Sequence, residues 1–221
     1  GRGDGTFAAQ QAAPSPAPDM RLYSVEAADL NGDGRPDIVT SNKNYSTVSV
    51  LLGNPDGSFQ TKQTFPTGTT PNVATIADVS GDGIPDIVTA SYTESRASVL
   101  LGHGDGTFAT ARDFATGGTA YYMTLADVNG DGRPDIVTAN NNVTVSVLLS
   151  NRDGTFQPQR SFATGGGTVS VAVADVNGDH LPDLATANFN DNTASLLLGN
   201  GDGTFQDQQV FSVGRAPGWV I

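Results

Sequence analysis

Apolar and polar positions along this chain follow a period of two in short runs, and the same set of runs returns four times. An apolar stretch such as VATIAD (from Val73) or VAVAD (from Val171) leads into a loop rich in Asp and Gly. A β-branched run follows directly, IVTA from Ile87 or LATA from Leu184, and predicts a second strand. An alternating or fully apolar run comes third: TVSVLL, ASVLL or TASLLL. The fourth segment is bounded by phenylalanines, as in Phe108 to Phe114, Phe156 to Phe162 and Phe205 to Phe211. Side chains alternate along a strand, so the six-residue spacing predicts both phenylalanines of a pair on one face. No 3.6-residue pattern of useful length argues for a helix.

Two motifs punctuate these runs. One reads DLNGDGRPD, DVSGDGIPD, DVNGDGRPD and DVNGDHLPD, opening at Asp29, Asp78, Asp127 and Asp175, at spacings of 49, 49 and 48 residues. The other is Asp-Gly-[Thr/Ser]-Phe, which occurs five times, from Asp4, Asp56, Asp105, Asp153 and Asp202. Four antiparallel strands in a unit of roughly 40–50 residues is the arithmetic of a propeller blade. The chain therefore reads as all-β, a β-propeller of four-stranded antiparallel blades. Four complete blades are expected, at residues 22–66, 71–115, 120–164 and 168–212.

The alternation of VADVNGDGRPDIVTAN-like and VSVLLGNGDGTF-like segments resembles the FG-GAP/VCBS repeat. That repeat builds the propeller of integrin alpha subunits and occurs in many bacterial extracellular proteins. The resemblance spans nearly the whole chain. It implies calcium in the turn between the first and second strands of each blade, where the Asp loops fall. It also implies an extracellular or cell-surface setting, and partner recognition on the face opposite the calcium loops.

The ends are out of register with the blades. Residues 1–21 supply a fourth strand, with Phe7 to Ala13 standing where Phe59 to Phe65 stand, and a Pro-rich join. Residues 213–221 end in APGWVI, which aligns with TPNVAT and predicts the first strand of a further blade. Parts of a fifth blade are thus expected without its middle strands. Such a chain is an arc or piece of a larger propeller, or is completed by another chain, and self-association through open blade ends is expected. Gly1-Arg2 opens the chain without an initiator methionine, which suggests processing or trimming.

Chemistry concentrates in the Asp loops. Side chains at positions 1, 3 and 5 turn inward around a hard cation, position 7 offers a backbone carbonyl and position 9 adds a carboxylate. The candidate ligands are Asp29, Asn31, Asp33, Arg35 and Asp37 in loop one, and Asp78, Ser80, Asp82, Ile84 and Asp86 in loop two. Loop three supplies Asp127, Asn129, Asp131, Arg133 and Asp135, and loop four Asp175, Asn177, Asp179, Leu181 and Asp183. An oxygen-only set of this size suits Ca2+ better than magnesium or zinc, giving about four ions, one per complete blade. An EF-hand loop needs Glu at position 12 and a helix after it, whereas Thr40, Thr89, Thr138 and Thr186 stand there. Metal-free turns are the alternative, but converging carboxylates repel unless a cation neutralises them. Loop four carries His180 where Gly34, Gly83 and Gly132 accept a positive φ easily. The aspartates of the Asp-Gly-[Thr/Ser]-Phe turns read as turn-capping groups.

Composition supports this picture. Net charge is -12, with 23 acidic residues of which only Glu26 and Glu94 are Glu. Most of the acidity is therefore loop chemistry, and it excludes nucleic acid as a partner. There is no cysteine, hence no disulfide or thiolate metal site, and no apolar stretch approaches membrane-spanning length. Arg2-Gly3-Asp4 matches an adhesion tripeptide. The Arg2 slot holds Asn or His in sister repeats, which points to scaffold.

Aromatics outside the repeat pattern mark the candidate ligand face. Tyr45, Tyr92 and Phe189 fall in second-to-third connections, while Tyr23, Tyr121, Tyr122 and Trp219 fall where first strands begin. All lie away from the Asp loops and suit a glycan or protein ligand, unless they fill the channel or the blade interfaces. Asn44 and Asn142 head glycosylation sequons on that face. A binding or adhesion module is the leading expectation, followed by a passive scaffold and then a calcium-assisted polysaccharide lyase. No nucleophile, base and orienting group form a catalytic constellation, so no enzyme is expected.

Overall fold

A computed structural model describes residues 22–221, and its regular structure is all β apart from one 3-10 turn at Lys43–Tyr45. Each repeat folds into one four-stranded antiparallel sheet with its strands in chain order, the arrangement of a propeller blade. Blade 1 comprises β1 (Leu22–Ala28), β2 (Asp37–Asn42), β3 (Thr47–Leu51) and β4 (Gln63–Pro66). Blade 2 comprises β5 (Pro71–Ala77), β6 (Asp86–Ser91), β7 (Arg96–Leu100) and β8 (Arg112–Ala115). Blade 3 comprises β9 (Tyr122–Ala126), β10 (Asp135–Ala139), β11 (Thr144–Leu148) and β12 (Arg160–Ala163). Blade 4 comprises β13 (Thr168–Ala174), β14 (Asp183–Asn188), β15 (Thr193–Leu197) and β16 (Gln209–Ser212). The first strands β1, β5, β9 and β13 pack side by side in series. None of the described helical residues forms a helix long and apolar enough to cross a membrane.

The apolar runs become strands because their aliphatic residues, most of them β-branched, are buried between neighbouring sheets. Ile87, Val88, Ile136, Val137 and Leu184 are fully buried in second strands. Three hydrophobic clusters fill the three junctions between consecutive blades. Each junction repeats one set of contacts between the trailing face of a blade and the leading face of the next. Phe65 meets Phe108 edge-on at 5.2 Å, Phe114 meets Phe156 at 5.3 Å, and Phe162 meets Phe205 at 5.2 Å. Next to each pair, Leu52, Leu101 or Leu149 covers the turn glycine of the following blade. A Cβ added at Gly106, Gly154 or Gly203 would come within 2.7, 2.5 or 2.6 Å of that leucine and displace it, and the positive φ of each already favours glycine.

This geometry corrects the phenylalanine expectation. The fourth strand is only four residues long, and the first phenylalanine of each segment lies before it, in an isolated bridge such as Gly102↔Phe108. Phe108 faces blade 1 and Phe114 faces blade 3, so the two point to opposite sides. Period-two counting fails because residues between them leave the strand.

The expected first strand of a further blade is a second correction. Residues 213–221 form no strand, and no described strand pairs with them to complete a ladder. Their position nonetheless follows the repeat. Val220 N–H donates to Ser170 Oγ at 3.3 Å, as Ala74 N–H donates to Ser24 Oγ at 2.9 Å between blades 1 and 2. The expected fourth strand at Phe7 to Ala13, the Pro-rich join and Arg2-Gly3-Asp4 lie outside the described residues.

Candidate functional site

Two ends of the sheets carry different chemistry. The first-to-second and third-to-fourth connections of each blade share one end, because one aspartate ties them together. Asp37 is fully buried and accepts the backbone N–H of Leu30 at 2.9 Å and of Gly53 at 2.8 Å. Asp86 does the same for Val79 and Gly102, Asp135 for Val128 and Ser150, and Asp183 for Val176 and Gly199. Position 9 of each loop is therefore a framework group, a role that spacing alone did not reveal.

Position 1 organises the loop itself. Asp29 accepts backbone N–H groups from Asn31, Gly32, Asp33 and Gly34, at 2.8 to 3.3 Å. Asp78, Asp127 and Asp175 repeat the pattern, down to Gly83, Gly132 and His180 at 2.7 to 2.9 Å. The sixth residue takes φ of +80°, +83° and +82° at Gly34, Gly83 and Gly132. His180 holds +67° in the same slot, a conformation histidine tolerates, and its ring is almost wholly exposed. Position 5 accepts the N–H of position 7: Arg35 at 2.9 Å, Ile84 at 2.8 Å, Arg133 at 3.0 Å and Leu181 at 2.8 Å. Asn31, Asn129 and Asn177 donate their amides to Asp33, Asp131 and Asp179 at 2.8 to 2.9 Å. Ser80 Oγ instead donates to Asp78 at 3.3 Å.

Loops one and three differ from two and four in one contact. The guanidinium groups of Arg35 and Arg133 turn back onto Asp33 and Asp131. Ile84 and Leu181 bring no charge to the same place in the other loops. Among the described residues, no three acidic or histidine side chains converge closely enough to hold a metal. The carboxylates are turned to backbone N–H groups and guanidinium instead, which relieves their mutual repulsion. The donor set is nonetheless all oxygen, and each carboxylate oxygen keeps further lone-pair capacity, so these residues fit a hard cation.

The charge balance shows in the carboxyl groups. The N–H of Gly34, against partial burial and with help from Asp33, Gly32 and Asn31, holds Asp29 below the usual range. Burial acts on Asp175 in the raising direction, but N–H groups of His180, Gly178 and Asp179 outweigh it and lower the group. Burial raises Asp86, and it pushes Asp135 up to about 6, with Asp131 and Asp127 adding repulsion.

At the other end the unrepeated aromatics come together. Tyr92 N–H donates to Thr70 O at 3.1 Å, which joins a second-to-third connection to the link between blades 1 and 2. Lys43 Nζ lies 4.1 Å from the ring centres of both Tyr23 and Tyr92, a cation held between two faces. It also donates to Asn72 Oδ1 at 3.2 Å, and Asn72 Nδ2 donates to Tyr121 O at 2.6 Å. Tyr92 meets Tyr121 at 5.8 Å, and Tyr122 meets Trp219 at 4.6 Å. A cavity of about 330 Å3 opens here, lined among others by Tyr23, Glu26, Asn72, Tyr121, Tyr122 and Trp219. Burial raises the Glu26 carboxyl, and burial and then Glu26 raise the Tyr122 phenol. Trp219 is 59% exposed and Tyr23 49%, so the lining is open to a ligand.

Tyr45 and Phe189 are also exposed, but no ring contact ties either to this cluster among the described residues. Lys43, Glu26 and Asn72 were not singled out from sequence. Their signal was departure from the repeat: Glu26 stands where Thr75 and Thr124 stand in the next two blades.

Comparison with known proteins agrees with the repeat structure. The FG-GAP-like repeat model matches residues 1–40, 29–89, 78–138 and 127–186. No curated protein sequence matches the chain. A solved Agrocybe aegerita lectin, studied for specific recognition of non-reducing terminal N-acetylglucosamine, is 25% identical with a TM-score of 0.59, over 83% of this chain and 50% of its own. The BBS1N–ARL6DN complex gives 13% identity and a TM-score of 0.64, covering 88% of this chain and 58% of the other. A putative 6-phosphogluconolactonase from Bacteroides fragilis gives 15% and 0.69, covering 90% and 57%. The last two share the fold alone. The chain spans between half and three-fifths of the length of these structures.

Proposed function

Because this chain belongs to the FG-GAP-like repeat family, we propose that it is a calcium-binding propeller module that recognises a glycan at the aromatic end of its sheets. The observation that carries this reading is the 330 Å3 cavity, to which blade 1 contributes Tyr23, blade 2 Asn72, blade 3 Tyr121 and Tyr122, and the C-terminal segment Trp219. Aromatic faces stack on the apolar side of a sugar ring, while Glu26 and Asn72 supply polar groups for its hydroxyls. The likeness to a lectin supports a sugar over a protein ligand.

Calcium in this reading sits in the four Asp loops, held by the oxygens of positions 1, 3 and 5, the carbonyl of position 7 and the carboxylate of position 9. Its part is structural, to neutralise the loops and stiffen the sheets that carry the aromatic end. Loops of exposed oxygen ligands bind at the millimolar calcium found outside cells, which accords with an extracellular or cell-surface setting and a role in adhesion. No residue is assigned a catalytic role.

A glycan array probed with the calcium-loaded chain tests the reading. Binding to a defined set of sugars that Trp219→Ala and Tyr122→Ala abolish is expected. Absence of binding to any sugar, with the chain folded and calcium present, would leave the passive scaffold as the better account.

A further inference from the structure

Among the described residues that line the aromatic cavity, Glu26 is the one that carries a charge. The repeat does not call for it. Counted back from the loop aspartate, blades 2, 3 and 4 have Thr75, Thr124 and Ala172 at the same place in the first strand. Burial raises the Glu26 carboxyl, and its charge acts on the Tyr122 phenol, second there to burial. Among the described residues the carboxylate makes no ion pair and no hydrogen bond. A charge kept partly out of water without a partner costs the fold stability. The scaffold gains nothing from Glu26, which points to a use in binding.

The walls around this carboxylate suit a cation as well. Tyr122 and Trp219 meet at 4.6 Å with their planes 70° apart, a corner rather than a flat stack, and Tyr23 and Tyr121 continue the lining. Aromatic faces are electron-rich and attract ammonium groups, most strongly where water is thinned out. The same end of the sheets already does this once, because Lys43 Nζ lies 4.1 Å from the ring centres of both Tyr23 and Tyr92. Lys43 stands outside the lining, so the cavity itself presents rings and a carboxylate but no cation.

We infer that the cavity takes the protonated amine of an amino sugar, so that the glycan recognised is one whose amines are free and not acetylated. The ammonium pairs with Glu26 against the aromatic wall, and the sugar ring lies on the remaining rings, with the Thr75 hydroxyl beside it. An acetyl group on that amine removes the charge and leaves Glu26 covered by the ligand without a partner, which costs affinity. A lysine or methyl-lysine side chain is the other cation of this kind. The cavity, at about 330 Å3, falls among pockets of roughly 300–1,000 Å3 that take a small molecule whole, so it has room for a ring as well as its amine. This inference rests on the glycan reading and narrows it to a cationic sugar; it does not depend on calcium.

Trp219 is the chain's sole tryptophan and lines the cavity, so its fluorescence reports binding there. The full chain is titrated at about pH 6, where sugar amines are protonated, with a glucosamine tetramer, the same tetramer fully N-acetylated, and a peptide bearing trimethyl-lysine. The amine tetramer should bind at least about tenfold tighter than the acetylated one. Glu26→Gln should erase that preference. Glu26→Thr, the residue that blades 2 and 3 carry at this place, takes over should the first variant fail to fold. Equal or tighter binding of the acetylated tetramer, or a preference that survives loss of the carboxylate, overturns this inference and leaves the glycan reading standing. Binding of the peptide alone, lost with Glu26, would give the cavity to a protein ligand and overturn the sugar. Failure of both tetramers while neutral sugars bind on the array overturns the amine alone. Failure of every sugar brings down the glycan reading, and this inference with it.

Discussion

The two ends of the sheets are built on opposite principles. At the Asp-loop end, the same residues recur four times and make the same bonds. Asp37, Asp86, Asp135 and Asp183 tie the two connections of their blades almost identically. At the other end Asn42, Asn140 and Asn188 repeat one set of bonds to Thr and Ser, but the aromatic and charged side chains do not recur, and these meet one another across blades. Lys43 of blade 1 reaches Tyr92 of blade 2, and Tyr122 of blade 3 reaches Trp219. Repetition yields equal local sites that stabilise each blade. Departure from repetition yields one composite cluster, an arrangement that suits the single-ligand recognition proposed above.

The sharpest break between the ends should come from chelation. Each calcium bound only by the folded chain adds about 1–3 kcal/mol at extracellular calcium, so four ions shift the melting temperature by on the order of 10 °C or more. A melting curve that chelator leaves unchanged would remove calcium from the loops, while the aromatic end would stand.

Within the loop end, framework and metal roles should separate. Asp135→Ala strands the buried N–H groups of Val128 and Ser150, and a loss of about 2–4 kcal/mol is expected with calcium or with chelator. Asp131→Ala should cost more than about 1 kcal/mol only when calcium is present, because its pair with Arg133 is partly exposed. Denaturant titrations in both conditions measure this, and equal losses for Asp131→Ala in the two would contradict its assignment as a ligand.

At the aromatic end, Trp219→Ala should weaken sugar binding at least about tenfold while moving the melting temperature by no more than about 2 °C. Calorimetric titration with the best array sugar reads the first, and a thermal melt the second. A large fall in melting temperature would make Trp219 a packing residue.

The smallest expected effect is on pH. In chelator, burial raises Asp135 to about 6 from an ordinary value near 3.8. The folded state then holds a proton that the unfolded state releases, so stability falls as pH rises between those values. Asp135 is buried, and after local relaxation and water penetration the change is on the order of 1–2 kcal/mol. Asp29, whose carboxyl is lowered, acts in the opposite sense and only at lower pH. Calcium bound in the loop as proposed would hold Asp135 ionised and should flatten the slope. A slope that calcium leaves untouched would separate Asp135 from the ion.

Much of the architecture was legible in the chain, for reasons that are local. A period-two apolar run becomes a strand whatever surrounds it, and Asp-Gly turns reverse the chain by their own chemistry. Returning at 48- or 49-residue spacing, these signals give four sheets with little ambiguity. The Asp loops were legible too, as far as which residues share a loop. The phenylalanines were misread because six residues were counted along one continuous strand, whereas the fourth strand begins only at Arg112, Arg160 or Gln209.

Sequence by itself determined the elements, their order within a sheet, and which oxygen-bearing side chains share each loop, since all of these depend on residues within one repeat. Only the tertiary structure decided that position-9 aspartates bridge two connections and that Phe114 turns toward Phe156. It alone assembled Tyr23, Tyr92, Tyr121, Tyr122 and Trp219 around Lys43 and Glu26. Those contacts join residues tens of positions apart, and such distances are set by how one sheet is rotated and packed against the next. That rotation follows from buried volume at the blade junctions, where Leu52 meets Gly106 and Phe65 meets Phe108, a quantity that no local pattern of residues encodes.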